Sequence, residues 1–163
     1  MVGHLASDGT ITWGTPVVYY SNYADNPQVL AGSNIGTGHF IVWNRDGGWG
    51  IHTYVATVNA GANSVTFGSD ALAYNNASYP PRIVWDGTRA VVTYRDSSNS
   101  NRLTAKVGTV SGTTISWASD VALRDGGNWI LTDIEYDVTN NHFLVAYRVS
   151  GQHEVVSLSI DDG

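Results

Sequence analysis

The sequence predicts an all-β fold assembled from a repeated four-stranded unit, and three observations carry that prediction. The 163-residue chain is rich in strand and turn formers and poor in helix surface. It has 18 Gly, 9 Tyr and 6 Trp against 8 Lys and Arg together, with a single Lys (Lys106) and two Glu (Glu135, Glu154). Such a composition favours pleated, half-buried surfaces and tight turns. The second observation is the stretch 81–121, which holds four short runs of β-branched and aromatic residues at 82–85, 90–94, 103–110 and 114–121. They are separated by Asp86-Gly87, by 96–101 and by Ser111-Gly112. A crossover helix needs about a dozen residues, so these gaps permit only an antiparallel meander. The third observation is that the meander recurs.

Taken in order, residues 1–9 read as a polar lead. Residues 10–20 form a first strand, bent at Gly14-Thr15-Pro16, which ends at a turn over 21–26. Further strands are expected at 27–31, 39–43 and 50–58. The series then repeats. Ile11-Thr12-Trp13-Gly14-Thr15 matches Val65-Thr66-Phe67-Gly68-Ser69 and Ile115-Ser116-Trp117-Ala118-Ser119, with aromatic positions spaced by 54 and 50. Phe40-Ile41-Val42-Trp43 matches Val91-Val92-Thr93-Tyr94 and Leu144-Val145-Ala146-Tyr147, spaced by 51 and 53 at their end aromatics. A period of about 50 residues with four strands per unit fits a β-propeller blade. The chain therefore reads as one repeat domain, 1–163, with units at approximately 10–64, 65–114 and 115–163 and the strand 10–18 completing the last blade. Three blades leave too wide an angle between neighbours. The expectation is a six-bladed ring closed by a homodimer with strand exchange. A β-trefoil, also threefold, is the alternative.

The stretch Thr93–Val121, TYRDSSNSNRLTAKVGTVSGTTISWASDV, resembles a repeat of uncharacterised bacterial, algal and phage-tail-associated β-propeller proteins. Their pattern reads Y-R-D-S-S-N-S-x-x-G-x-A-x-V-G-T-V-S-G-T-x-I-S-F-G-x-x-V. The central unit carries the match. The third unit keeps Tyr147-Arg148 but has Val149-Ser150-Gly151 in place of the Asp-Ser-Ser loop, and the first keeps Arg45-Asp46 before Gly47-Gly48-Trp49. The resemblance implies repeat architecture and assigns no ligand.

Charge and motif content exclude several functions. A net charge of −6 with so few cations argues against nucleic acid, whose phosphates draw on many Lys and Arg. The absence of Cys removes disulfides, thiolate catalysis and Cys-rich zinc sites. The start MVGHLASDGT has neither the basic nor the apolar region of a signal peptide, and no run approaches a membrane span. The five His make no metal-ligand spacing, so no metal or other cofactor is expected. With two Glu, and with Asp46, Asp86, Asp125 and Asp137 in turns, no carboxylate pair suggests a glycosidase, and an enzyme is not expected.

The residues that could bind a ligand are the recurring Arg45, Arg95 and Arg148, Asp96 behind the second of these, Trp49 and Trp129 on glycine-rich loops, and His52. Arg presents a fork of donors suited to hydroxyl or carboxylate oxygens, or to clamping neighbouring turns. A loop Trp can stack on a sugar face or fill a gap between sheets, whereas Trp13, Phe67 and Trp117 sit within strands and read as core. The expectation is a non-enzymatic, lectin-like carbohydrate-binding module on a cell or virion surface, whose partners are a second copy of itself and glycans. The alternative is a structural or protein-interaction module with no small-molecule site. No residue fixes a compartment.

Overall fold

The computed structural model of the chain describes residues 3–31, 39–77, 81–125 and 129–159. Strands β1 (Gly3–Leu5) and β2 (Ile11–Trp13) form a hairpin of their own. The first large sheet runs β3 (Ala24–Ala31), β4 (His39–Asp46), β5 (Gly50–Asn59) and β6 (Ser64–Phe67), and β7 (Ala71–Asn75) pairs with the other half of the same edge of β5. The central sheet is β8 (Arg82–Trp85), β9 (Arg89–Asp96), β10 (Arg102–Ser111) and β11 (Thr114–Arg124). The third sheet has three strands, β12 (Trp129–Asp137), β13 (His142–Val149) and β14 (Gln152–Ser159). All pairing is antiparallel.

The turns show why these residues form these hairpins. Asp86 Oδ1 accepts the amides of Thr88 (2.8 Å) and Arg89 (2.6 Å). Asp137 Oδ1 does the same for Thr139 (2.9 Å) and Asn140 (3.2 Å). In each case an aspartate folds the chain back on itself between the first and second strands of its sheet. Arg89 Nη2 then donates to Asn141 Oδ1 at 2.9 Å, joining the two turns.

The three large sheets stack face to face, with the central one covered on both sides. Between the first and central sheets lie Ile41, Trp43, Ile51 and Val55 against Ile83, Trp85, Val92 and Tyr94. Between the central and third sheets lie Val91, Leu103 and Ala105 against Ile134, Phe143, Val145 and Tyr147. Burying each of the larger side chains stabilises by ~1.5–3 kcal/mol. The sequence of each strand follows its position. Strand β9, buried on both faces, reads Ala-Val-Val-Thr-Tyr without alternation, whereas β14 alternates exposed and half-buried residues because one of its faces is open.

The sheets do not close. Among the described residues there are four separate sheets, none joined into a ring or barrel. The expected propeller closure by strand exchange is therefore not the architecture, and the β-trefoil, which needs a closed barrel, is excluded by the same observation. The physical reason lies at the amino-terminal end. Residues 10–18 do not form the long strand expected to complete the last unit. Only Ile11–Trp13 is a strand, and its partner is Gly3–Leu5, read from sequence as a lead. Asp8 Oδ1 accepts the amide (2.9 Å) and hydroxyl (2.7 Å) of Thr10 and tightens the intervening turn. A hairpin over so short a loop costs little chain entropy, whereas completing the last unit of another chain would carry the cost of association. In consequence Trp13, expected in the core, is 61% exposed.

Equivalent strand positions recur at Phe40, Ala90 and Phe143, and at Val42, Val92 and Val145, in a register one residue different from that read in the sequence. Each stands opposite its counterpart on the first strand of its sheet. Trp43 is therefore the counterpart of Thr93 and Ala146, not of Tyr94 and Tyr147, and it points to the opposite face. A shift of one residue exchanges the faces of a strand.

Candidate functional site

The β4–β5 turn reads Asp46-Gly47-Gly48-Trp49-Gly50 and closes through Asp46. Its carbonyl accepts the Trp49 amide at 3.0 Å, and its Oδ1 accepts the Gly50 amide at 2.6 Å. This clamp holds Trp49 at φ +71°, a left-handed conformation that bulky residues avoid. Trp49 is 45% exposed. Tyr23, 78% exposed, lies against the same turn, its Cδ1 3.2 Å from the point where a Gly47 Cβ would stand.

Arg45 underlies this surface. It stands opposite Asp25 in the β3–β4 register and donates to it twice, from Nε at 3.0 Å and from Nη2 at 2.6 Å. Its Cζ lies 5.9 Å from the centre of the Trp49 ring, within reach of a cation–π contact. The Arg45 hydrogen bonds hold the Asp25 carboxyl below its ordinary value and push the guanidinium up.

His52 belongs to the other face of the same sheet, because Arg45 pairs with Ile51 and Asn44 with His52. Its Nδ1 lies 2.7 Å from Asp70 Oδ2 and its Nε2 3.3 Å from Asp46 Oδ2, with the Tyr20 ring centre 4.9 Å away. Both nitrogens donate at once only when the ring carries two protons. Burial would raise the Asp46 carboxyl, yet the Gly50 amide and His52 hold it below its ordinary value. Asn44, opposite His52, is fully buried with neither Oδ1 nor Nδ2 hydrogen-bonded among the described residues.

A polar ladder continues from this turn to the next. The Trp49 carbonyl accepts the amides of Asn76 (3.3 Å) and Ala77 (3.0 Å), the Asn76 carbonyl accepts the Ser97 amide (3.4 Å), and Ala77 bridges to Asp96. Asp96 is fully buried. It accepts from Tyr74 Oη, from the Ser98 amide (2.9 Å) and from Asn99 Nδ2 (2.6 Å), and Arg102 Nε stands 3.6 Å away. Burial and the bond to Asp96 push the Tyr74 hydroxyl up to about 12. With its oxygens so occupied, Asp96 positions the loop.

Of the residues expected at a site, Arg45 and Trp49 come together at the β4–β5 turn, and His52 touches that turn through Asp46 from the other face of the sheet. The 76–77 segment links the turn to Asp96, while Arg95, in β9, stands opposite Leu103. Arg148 is exposed at the end of β13, opposite His153. The backbone of Trp129 pairs with Val149 at that end, and its side chain lies outside the described residues. Sequence reasoning missed Asp25, Asp70, Tyr20 and Tyr23. The signal for Asp25 was its place across the strand from Arg45, hidden by the bulge at Asn26 (φ +52°) and Pro27, which carries β3 back to Ala24. Among the described residues no group of three or more His, Cys, Asp or Glu is arranged to hold a metal ion. No protein-family model, curated protein or solved structure matches the chain.

Proposed function

We propose that the chain is a non-enzymatic binding module whose β4–β5 turn takes carbohydrate. The observation that supports this reading is Trp49, a large ring held half-exposed in a conformation costing of order 1–3 kcal/mol. Such strain persists where the surroundings over-determine it, and here the surroundings are an aspartate clamp and a guanidinium fixed by Asp25. The ring offers a flat apolar platform to the C–H face of a sugar, and Tyr23 widens it. The Arg45–Asp25 pair at its side supplies fixed donors and acceptors for hydroxyls, so neither must be ordered on binding.

The test is a broad glycan array probed with the wild-type chain and with Trp49→Ala and Arg45→Ala. Binding to a defined glycan set that both substitutions abolish supports the reading. An array silent for the wild-type chain overturns it and leaves the structural or protein-interaction module as the function.

A further inference from the structure

The first sheet carries an apolar groove of about 430 Å³ on the face turned away from the central sheet. Val17, Tyr19, Val29, Phe40, Val42 and Phe67 are among its lining. Val29 is 67% exposed and Val17 43%. An open apolar surface of this kind on a chain with few exposed cations marks an interaction face, and the repeat identifies what fits it.

The chain uses one docking mode twice. The central sheet meets the first through Ala90, Val92 and Tyr94, and the third meets the central through Phe143, Val145 and Tyr147, at equivalent positions. Phe40 and Val42 are the same positions on the first sheet, and they face the groove. The complementary face is used by the first sheet (Ile41, Trp43) and by the central sheet (Val91). On the third sheet its equivalents are Leu144 and Ala146, joined across the strand by Val155, and here Leu144 is 40% and Val155 67% exposed. The apolar part of each open face is therefore half of a contact that the molecule already makes twice, with Glu135 and Asp133 opposite Leu144 and Ala146 forming an acidic border on the third sheet.

The segment after β2 supplies a second, independent observation. A Cβ at Gly68 would stand 1.8 Å from the Thr113 carbonyl oxygen, in the β10–β11 turn of the central sheet. A Cβ at Gly14 would stand 1.8 Å from the Asn63 carbonyl oxygen, in the corresponding turn of the first sheet. Gly14 lies against the first sheet as Gly68, from the edge of the neighbouring sheet, lies against the central one. Tyr19 continues the likeness, with its ring 5.4 Å from Tyr54 and 5.2 Å from Phe67. The margin of the groove is thus laid out as it is where another sheet of this repeat is seated.

We propose that the free face of the first sheet docks the free face of the third sheet of a second copy, head to tail. Sedimentation velocity from micromolar to millimolar protein tests this, using the wild-type chain, Val29→Glu and Val155→Glu. Both positions are largely exposed, so each charge falls on the docking face and spares the core. The expected result is a wild-type mass rising with concentration from 17.5 kDa to twice that or more. Each variant alone loses association by at least tenfold, and an equimolar mixture recovers a two-chain species, because each variant retains the face the other has lost. A wild-type chain that stays at 17.5 kDa throughout overturns the proposal. So does association lost in one variant and kept in the other, which means that two like faces meet.

Discussion

Asp25 and Arg45 face each other directly across β3 and β4, and their two hydrogen bonds fix the guanidinium beside the Trp49 ring. The pair is partly solvated, with the Asp25 side chain 37% exposed. Asp25→Asn is therefore expected to lower stability by less than about 1 kcal/mol in a denaturant titration. It is expected to weaken glycan binding by a larger factor, since the donor fork loses its orientation.

Trp49 offers a test in which stability and binding separate. Glycine accepts φ +71° without strain. Trp49→Gly should leave the unfolding midpoint unchanged or raise it, by up to about 1 kcal/mol in stability, while abolishing binding. A midpoint that falls sharply would show the ring to be structural.

Asp96 should behave in the opposite way. It is buried with three donors and an arginine around it, so Asp96→Ala strands several polar groups at once. The expected loss is about 3 kcal/mol or more by chemical denaturation. Asp137→Ala, at an exposed turn, should cost far less.

Gly68 should tolerate no side chain. The oxygen a Cβ would strike belongs to the Thr113 backbone and cannot rotate away. Gly68→Ala is expected to lower stability by about 3 kcal/mol or more, whereas Gly9→Ala meets no neighbouring atom and is limited to the strain of its positive φ. Thermal melts of the two variants distinguish them.

Acid should unfold the chain only at low pH. Hydrogen bonds from Arg45 hold Asp25 below the ordinary 3.8, and Asp46 and Asp96 are held below it against the effect of their burial by the donors around them. A carboxyl with a depressed folded value contributes fully above its unfolded value and loses that contribution as pH falls through the folded one. Stability carried by these three groups is therefore expected to be flat from neutrality to about pH 4 and to decline below it, as followed by circular dichroism.

The strand runs of the central unit were legible because every local signal there agreed. Residues 82–85 match β8 to the residue, and Asp86-Gly87 forms its turn. What escaped depends on distance along the chain. Whether residues 10–18 pair with β14 or whether Ile11–Trp13 folds back on Gly3–Leu5 is a contest between chain entropy and buried area, and periodicity is silent on it. Asp70 reaches His52 from eighteen residues away through a break in the edge strand between Phe67 and Ala71, where no motif marks the approach. Trp43 and Tyr94 looked equivalent because both close an apolar run, but side-chain direction is set by register, which letters alone do not number.

Among the described residues, two core clusters join the first sheet to the central one and a further one joins the central sheet to the third, and none joins the first to the third. Stability is then a sum of neighbour terms along a line. Size becomes adjustable: one more 50-residue unit spliced between the central and third sheets would find a matching surface on each side. The third sheet, held by a single cluster where the first is held by two, would be the first to open on heating.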